Sequence, residues 1–449
     1  MYKKNVAIIG SGITGLASAW LLHKQYNVTL FEKNAYIGGH THTIDVPEAD
    51  RQIPVDTGFI VYNDRNYPNL IGLFAQLGIP TRDTDMSFGF SLNQGELEYS
   101  GSSLNTLFAQ RKNLFRLSHW HLLKEIMRFN KVAHRLLENP VAAPDMSLGE
   151  MLDAHQFSSD MREHYLLPMG AAIWSCPVDT MLAFPALSFL RFFANHGLID
   201  IQNRPQWRTV CGGSSFYVRK LLAEMGDKIT IQSGAIRVER SATQASIFTA
   251  TAQHDFDAVI FACHADEALA LLAQPSVEEQ RILGCFRYEK NQTYLHTDTN
   301  LMPVNRKVWS SWNYLATSQP EYVNARQQMT ATYWMNNLQG LDTSTDYFVT
   351  LNPYQLPRDS HIIAEMTYEH PIFDQAAVAA QPQLASLQGQ QQSWFCGSYH
   401  RYGFHEDAIA SAVKICADFG VTPVWVKAQE ESKTPQPVLP LSIAGAVTP

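Results

Sequence analysis

The stretch of sequence that decides the fold spans residues 6–32 and reads VAIIGSGITGLASAWLLHKQYNVTLFE. It begins with the apolar run 6–9, which is typical of a short strand buried in a parallel sheet. Gly10, Gly12 and Gly15 follow in the pattern G-x-G-x-x-G. The first glycine allows a tight turn, the second lets the backbone approach a pyrophosphate, and the third allows close packing of a helix on the sheet.

The residues after these glycines complete a strand–helix–strand unit. A helix is predicted through residues 16–22, and its amino end would direct partial positive charge toward the pyrophosphate. Residues 28–31 form the second predicted strand, which ends at Glu32. An acidic side chain there accepts hydrogen bonds from ribose hydroxyls and disfavours a 2′-phosphate. A glycine-rich turn without a ligand is the alternative, but the complete unit favours a dinucleotide site.

The composition limits the class of protein. The chain has 449 residues, 45% hydrophobic and 17% charged, as expected for a globular protein with two domains or one domain with an inserted lobe. A formal net charge of −8 argues against nucleic acid as a partner. Six cysteines without a C-x-x-C pair favour free thiols in a cytoplasmic protein over disulfides or a zinc site, so no metal is expected. No apolar run reaches the about 18 residues that suggest a transmembrane helix.

Two further segments carry glycines where a ligand could approach the backbone. Gly38 and Gly39 come just past the second strand and precede His40 and Thr41. They permit contact with a sugar or phosphate, although an ordinary turn is the alternative. A polar patch at residues 55–59 contains Gly58 and Phe59 and precedes a helix predicted over residues 66–77.

Two longer segments have unusual composition. Residues 113–137 place apolar side chains at near-helical spacing and carry many lysines and arginines in an otherwise acidic protein. The basic side of this helix either faces solvent or forms a peripheral docking surface for anionic lipid. Residues 166–199 are apolar and aromatic but are divided by proline and glycine, which suits the wall of a deep apolar cavity as well as plain core packing.

Taken in order, these segments resemble the FAD-dependent amine oxidase superfamily, which includes monoamine oxidases, phytoene-type desaturases and protoporphyrinogen oxidases. The resemblance covers most of the chain. It rests on the dinucleotide unit with Glu32, on Gly38 and Gly39, on the strand 257–262, and on residues 395–397 followed by 403–409.

The resemblance implies an α/β fold with a Rossmann-like FAD-binding domain and an inserted, mixed α+β substrate domain. The FAD-binding domain is expected from residues 1–70, 206–275 and 386–426, and the substrate domain from 71–205 and 276–385. Residues 427–449 are expected to form a loosely ordered tail. The family's last helix, expected here over residues 408–419, would point its amino end at the flavin ring, where reduced flavin gathers negative charge.

The resemblance also assigns site residues. Non-covalent FAD is expected, since no cysteinyl–flavin attachment site is recognisable. The expected cofactor-binding residues are Gly10, Gly12, Ile13, Thr14, Gly15, Glu32, Lys33, Gly38, Gly39, His40, Thr41, Gly58, Phe59, Ala262, Gly397, Phe404, His405, Glu406 and Ala408. Residues 169–174 would line the substrate side.

A closer resemblance is to a bacterial subgroup of predicted NAD/FAD-binding proteins, carried by residues 56–63, 295–298, 309–314 and 403–407. Members of that subgroup resemble flavin desaturases linked to modified fatty acids. One of the two tyrosines that hold the amine in monoamine oxidases falls at Phe404, which an apolar substrate would tolerate.

Three functions therefore stay open. The first is an oxidoreductase that passes a hydride from carbon to flavin N5 and desaturates a fatty acyl or other apolar substrate. His405 and His296 are its candidate proton acceptors, although a histidine is more often a structural, hydrogen-bonding residue. Lys290 is the candidate for the lysine that monoamine oxidases place near N5. The second function is an amine oxidase that releases hydrogen peroxide, and the third is flavin binding without turnover.

Overall fold

The computed structural model describes residues 3–142, 146–200, 202, 204–318 and 330–433 of an α/β chain. The strands are β1 Asn5–Ile9, β2 Asn27–Glu32, β3 Thr43–Glu48, β4 Arg51–Asp56, β5 Val61–Asn63, β6 Thr81–Thr84, β7 Phe88–Leu92, β8 Leu97–Ser100, β9 Trp207–Val210, β10 Ile229–Ser233, β11 Arg237–Arg240, β12 Ala245–Phe248, β13 Gln253–Phe256, β14 Ala258–Phe261, β15 Arg287–His296, β16 Trp312–Ala316, β17 Ala331–Trp334, β18 Phe348–Leu351, β19 Ile362–Ile372 and β20 Ser393–Phe395. The α-helices are α1 Ile13–Leu22, α2 Pro68–Leu77, α3 Leu104–Leu107, α4 Leu117–Glu138, α5 Leu148–Ala154, α6 Ser159–Met161, α7 Leu167–Trp174, α8 Val178–Leu182, α9 Ala186–Asn195, α10 Ser215–Met225, α11 Ala265–Leu271, α12 Val277–Leu283, α13 Gln375–Ala380, α14 His405–Asp418 and α15 Val424–Lys433.

A five-stranded parallel sheet joins the start, middle and end of the chain in the order β10-β2-β1-β14-β20. Alternate side chains of β1 pack into two different hydrophobic cores, one on each face of the sheet. Val6 and Ile8 pack with α1, α10 and α14, whereas Ala7 and Ile9 pack with α11, α12 and the small antiparallel sheet β11-β12-β13. A parallel sheet covered on both faces explains why β1 and β14 are continuous apolar runs.

A second, seven-stranded sheet has the order β19-β15-β18-β17-β16-β7-β8 and is antiparallel except for the pair β16–β7. Its apolar side chains share one core with helices α4 to α9. A small sheet, β5-β9-β6, pairs strands from both predicted domains, because β6 lies in the predicted substrate domain and β5 and β9 lie in the predicted cofactor domain. The two predicted domains therefore share backbone hydrogen bonds here.

Some helix boundaries differ from those predicted. α2 begins at Pro68 rather than at residue 66, because the side chain of Asn63 accepts the N–H groups of Arg65 and Asn66 and holds them in a turn. The basic segment begins as a 3₁₀ turn, Arg111–Phe115, and α4 starts only at Leu117.

The last helices also begin or extend differently. α14 starts at His405 rather than at residue 408, because the carboxylate of Asp407 accepts the N–H of Phe404 and satisfies the first turn. The predicted tail is wrong for residues 427–433, which belong to α15. Trp425 anchors this helix by stacking on Trp20, with 6.2 Å between ring centroids. Residues 434–449 lie outside the described part of the chain.

Over the described ranges, none of the helices is both long enough and apolar enough to cross a membrane.

Candidate functional site

The glycine turn after β1 is built by close backbone approaches. Gly10 has φ of +105°, and a Cβ there would lie 2.6 Å from the carbonyl oxygen of Ala262. A Cβ at Gly15 would lie 1.9 Å from the carbonyl oxygen of Gly10. A Cβ at Gly12, in contrast, would meet no described atom within 4 Å, because Gly12 faces an open cavity. Gly12 is also the N-cap of α1 and offers no side chain to the first N–H groups of the helix. These N–H groups are therefore available to an anion.

Glu32 is held firmly at the end of β2. Its Oε2 accepts the backbone N–H of Ser11 at 2.9 Å and the hydroxyl of Ser11 at 2.5 Å. Its Oε1 accepts the N–H of Asn34 at 2.7 Å. A carboxylate has about four acceptor sites, so Glu32 keeps capacity for a ligand hydroxyl. The sequence did not single out Ser11, because it occupies a variable position of the glycine pattern.

One cavity of about 1310 Å³ runs past this turn. Most of the predicted cofactor-binding residues line it: Gly10, Gly12, Ile13, Thr14, Glu32, Lys33, Gly39, His40, Gly58, Phe59, Ala262, Gly397, Phe404, His405 and Ala408. Gly15, Gly38, Thr41 and Glu406 do not line it.

His405, the first residue of α14, is fixed inside the cavity wall. Its ring stacks on Phe59 with 3.6 Å between centroids and 12° between planes. Its Nε2 lies 3.1 Å from the hydroxyls of both Thr41 and Tyr217. Burial, followed by the nearby His40, lowers the pKa of His405 to about 3. The ring is therefore neutral near pH 7. Thr41 does not line the cavity itself, but it contacts His405, which does.

A second histidine pair, His40 and His370, lies in the same wall with 5.3 Å between ring centroids. Burial lowers the pKa of His40 to about 4 and that of His370 to about 3. Nε2 of His40 is buried and has no hydrogen-bond partner among the described residues. This nitrogen can accept a hydrogen bond from a ligand.

A chain of amides sets the tautomer of His370. The N–H of Gln292 donates to Oδ1 of Asn352 at 2.9 Å, so Nδ2 of Asn352 is the atom that donates to Oδ1 of Asn291 at 2.6 Å. Nδ2 of Asn291 then donates to Nδ1 of His370 at 2.9 Å. The proton of neutral His370 must therefore reside on Nε2. Sequence reasoning missed this residue, although the period of two in β19 places His370 on the same face as the buried Tyr368.

Glu406, which is expected to contact the cofactor, does not line the cavity. Its carboxylate accepts the N–H groups of Asn69 and Leu70 at 3.0–3.1 Å and so caps the amino end of α2. Burial raises the pKa of Glu406 to about 7. Glu406 ties α14 to α2 instead of facing the cavity.

His296 is likewise not a candidate proton acceptor. It is fully buried, its Nδ1 accepts the N–H of Asp298 at 3.0 Å, and its Nε2 lies 2.7 Å from the hydroxyl of Thr350. It does not line the cavity. Both ring nitrogens serve the packing of the second sheet.

Lys290 lies at the rim of the cavity, but its side chain is 77% exposed and its Nζ is 3.6 Å from a carboxylate oxygen of Glu369. The alternation of β15 explains this, because the next residue, Asn291, is the one that points inward and is fully buried. The inward-facing residue of this part of β15 is thus Asn291, whose amide orients His370, and not a lysine.

Beyond the histidines, the cavity becomes aromatic. The ring centroids of Trp174 and Phe404 lie 6.5 Å apart. Phe404 also stacks on Phe192, with 5.0 Å between ring centroids. Phe373 and Tyr402 complete this aromatic chamber. Of the predicted segment 169–174, only Ile173 and Trp174 reach the cavity, while the others pack into the core.

These features fit an adenine dinucleotide with room for a second molecule. Small-ligand pockets usually measure about 300–1,000 Å³, and this cavity is larger. The open space at Gly12, the uncapped start of α1 and the oriented Glu32 suit a pyrophosphate beside a ribose.

Known proteins support this interpretation. The sequence profile of the NAD(P)-binding Rossmann-like domain matches residues 8–77. A Mycobacterium tuberculosis protein named as a flavin-containing monoamine oxidase, AofH, is 25% identical over 284 residues. In sequence, the chain is therefore similar to a protein named for a bound flavin. The match to AofH covers 60% of this chain and 59% of that protein.

Solved structures share the amine oxidase fold over nearly the whole chain. Cyclohexylamine oxidase from Brevibacterium oxydans superimposes with a TM-score of 0.65 at 15% identity, covering 93% of this chain and 100% of that one. A CLA-producing fatty acid isomerase from P. acnes superimposes with a TM-score of 0.64 at 15% identity, covering 93% and 99%. The predicted fold class is thereby confirmed.

Proposed function

We propose that this chain is an FAD-dependent oxidoreductase that takes a hydride from a carbon atom of a long, apolar substrate such as a fatty acyl chain. The observation that carries the proposal is the single cavity that starts at the dinucleotide turn of Gly12 and continues into the aromatic chamber around Trp174 and Phe404. Cofactor and substrate would therefore lie in one continuous space, as hydride transfer between them requires.

In this proposal, the residues of the turn would hold FAD. The amino end of α1 and Gly12 would receive the pyrophosphate, and Glu32 would receive the adenine ribose. The first turn of α14, which includes His405 and Ala408, would stabilise negative charge on the flavin ring. FAD supplies the hydride acceptor when it is bound.

The distribution of charge favours an apolar substrate. Apart from Glu32, which belongs to the dinucleotide turn, the lysines and glutamates that line the cavity form ion pairs with each other: Lys33 pairs with Glu267, and Lys290 pairs with Glu369. The aromatic chamber, in contrast, is built from Trp174, Phe373, Tyr402 and Phe404. An ammonium group would find an aromatic wall there but not the phenol that monoamine oxidases place at the position of Phe404. The fold itself is compatible with acyl substrates, because a fatty acid isomerase shares it.

We assign different roles to the two histidines His405 and His40. His405 is held by two hydroxyls and a stacked ring, so we assign it to positioning. His40 lines the cavity, and its buried Nε2 has no partner among the described residues, so His40 is the better candidate for a hydrogen bond to a ligand that reaches this wall. This assignment replaces His296 and Lys290 as candidate catalytic residues.

The alternative function is an amine oxidase, and the identity with AofH favours it. One anaerobic experiment separates the two. The flavin-loaded protein is mixed with fatty acids and phospholipid extracts in one series and with simple amines in the other, and absorbance of the flavin is followed. Bleaching by lipids supports our proposal, whereas bleaching by amines alone supports the alternative. Absence of bleaching by either class would contradict both.

A further inference from the structure

The outer face of α4 mixes large apolar and basic side chains. Leu117, Trp120, Lys124, Met127 and Lys131 follow one line along the helix, at alternating spacings of three and four residues. Leu117 is 86% exposed, Trp120 49% and Met127 44%. The opposite side of the helix is buried in the core through Leu122, Phe129, Val132, Ala133 and Leu136.

The 3₁₀ turn before α4 extends this surface. Phe115 is 88% exposed and Leu114 is 41% exposed. α3 adjoins it through Phe108, whose ring lies 5.1 Å from the ring of Trp120. We call the surface formed by Leu114, Phe115, Leu117, Trp120 and Met127, with the basic residues between them, the α4 face.

The charge of the α4 face is opposite to that of the chain, which has a net charge of −8. Arg116, Lys124, Lys131 and Arg135 are exposed, and within the described ranges their side chains form no ion pair. Glu125, the acidic residue between Arg116 and Arg135 in the sequence, does not offset them, because its carboxylate is turned inward to Ser158 and Arg128. The α4 face is thus a positive, apolar surface on an acidic protein.

We propose that the α4 face docks on the surface of an anionic lipid membrane. Exposed aromatic and aliphatic side chains flanked by lysine and arginine are what a helix lying in a membrane interface requires. A second copy of the chain is a poorer occupant, because a two-fold contact would place Lys124 and Lys131 against the same cations. The inference rests on the proposed function, since docking there would bring the protein to a source of acyl chains.

The experiment is co-sedimentation of the flavin-loaded full chain with two kinds of vesicle, phosphatidylcholine alone and phosphatidylcholine mixed with phosphatidylglycerol. Two variants test the face: K124E/K131E removes its charge, and F115S/L117S removes its apolar contacts. K228E and V277S are controls at exposed positions near the parallel sheet, Lys228 just before β10 and Val277, which is 78% exposed, in α12. Thermal unfolding verifies that all four variants are folded.

The wild-type chain and both controls should bind the anionic vesicles, and more weakly at high salt. K124E/K131E should weaken this binding about tenfold or more, since each basic residue near such a surface contributes appreciably. F115S/L117S should weaken it similarly.

Three results would overturn the inference. The wild-type chain could fail to bind the anionic vesicles, or the control variants could lose as much binding as the α4 face variants. The chain could also elute as a dimer that F115S/L117S converts to a monomer, which would assign the face to a second copy. Bleaching of the flavin by lipids in a chain that does not bind vesicles would reject the docking site and leave the proposed function intact. Vesicle binding by a chain that takes up no flavin, or whose flavin no lipid bleaches, would reject only the proposed function.

Discussion

Gly12 is the residue on which the cofactor site depends most directly. The other two glycines of the turn are needed for the fold itself, because a Cβ at Gly10 or Gly15 would collide with backbone oxygen atoms. A Cβ at Gly12 would meet only the cavity. The polypeptide leaves room for a side chain at this position, so we expect that glycine is needed here for the ligand.

Gly12→Val should therefore abolish retention of FAD while leaving the fold intact. The control is Gly101→Val, since Gly101 also has open space around its Cβ position and does not line the cavity. Flavin content after purification and the temperature of unfolding without flavin give the answer. Normal flavin content in G12V would contradict the assigned phosphate site.

His370 allows a test of the amide chain. In Asn291→Asp, a carboxylate replaces the amide that donates to Nδ1 of His370. A neighbouring negative charge favours the protonated imidazole, so the pKa of His370 should rise by about one unit or more from its value of about 3. Nitrogen-15 NMR of the labelled imidazole should report this rise and a proton on Nδ1. An unchanged spectrum would contradict the hydrogen bond from Nδ2 of Asn291 to Nδ1 of His370.

At the scale of elements, the contact between α14 and α2 is pH-sensitive. Glu406 of α14 caps α2, and burial raises its pKa to about 7. The folded state therefore binds this proton more tightly than the unfolded state, whose carboxyl has a pKa of about 4.3. Ionisation of the buried carboxyl group therefore lowers the free energy of unfolding. This loss is absent below about pH 4, where the group is protonated in both states, and is complete above about pH 7.

Glu406→Gln should remove this dependence. The free energy of unfolding of E406Q, minus that of the wild type, should increase by about 1–3 kcal/mol between about pH 5 and about pH 8, because only the wild type loses stability as Glu406 ionises. Urea unfolding at the two pH values measures the difference. The exposed Glu138→Gln serves as control and should show a constant difference. A constant difference for E406Q as well would mean that Glu406 is not buried as described.

Elements also show why parts of the site were not predictable. The glycine pattern and the apolar runs of β1 and β14 are local signals, and they predicted the turn that lines the cavity. Lys290 was misread because its orientation depends on the register of β15 against β19, where it pairs with Glu369 and Asn291 pairs with Tyr368. That register is set by a partner strand about eighty residues away and leaves no local pattern.

At the scale of the whole molecule, the cavity wall is assembled from distant segments. His40, His370 and His405 come from a loop after β2, from β19 and from the start of α14. No spacing in the sequence links these three residues, so the neutral histidine wall emerges only from the fold. The order of segments, however, was sufficient to predict an α/β fold of the amine oxidase type, which the structural similarities confirm.

The central claim is that this cavity holds FAD. The most direct measurement is equilibrium titration of the flavin-free chain with FAD, and separately with NAD and NADP, followed by absorbance and by the shift in unfolding temperature. We expect one equivalent of FAD to bind, to give a yellow protein and to raise the unfolding temperature, with no comparable effect of either nicotinamide. A chain that stays colourless after reconstitution, or that binds a nicotinamide in preference to FAD, would contradict the account.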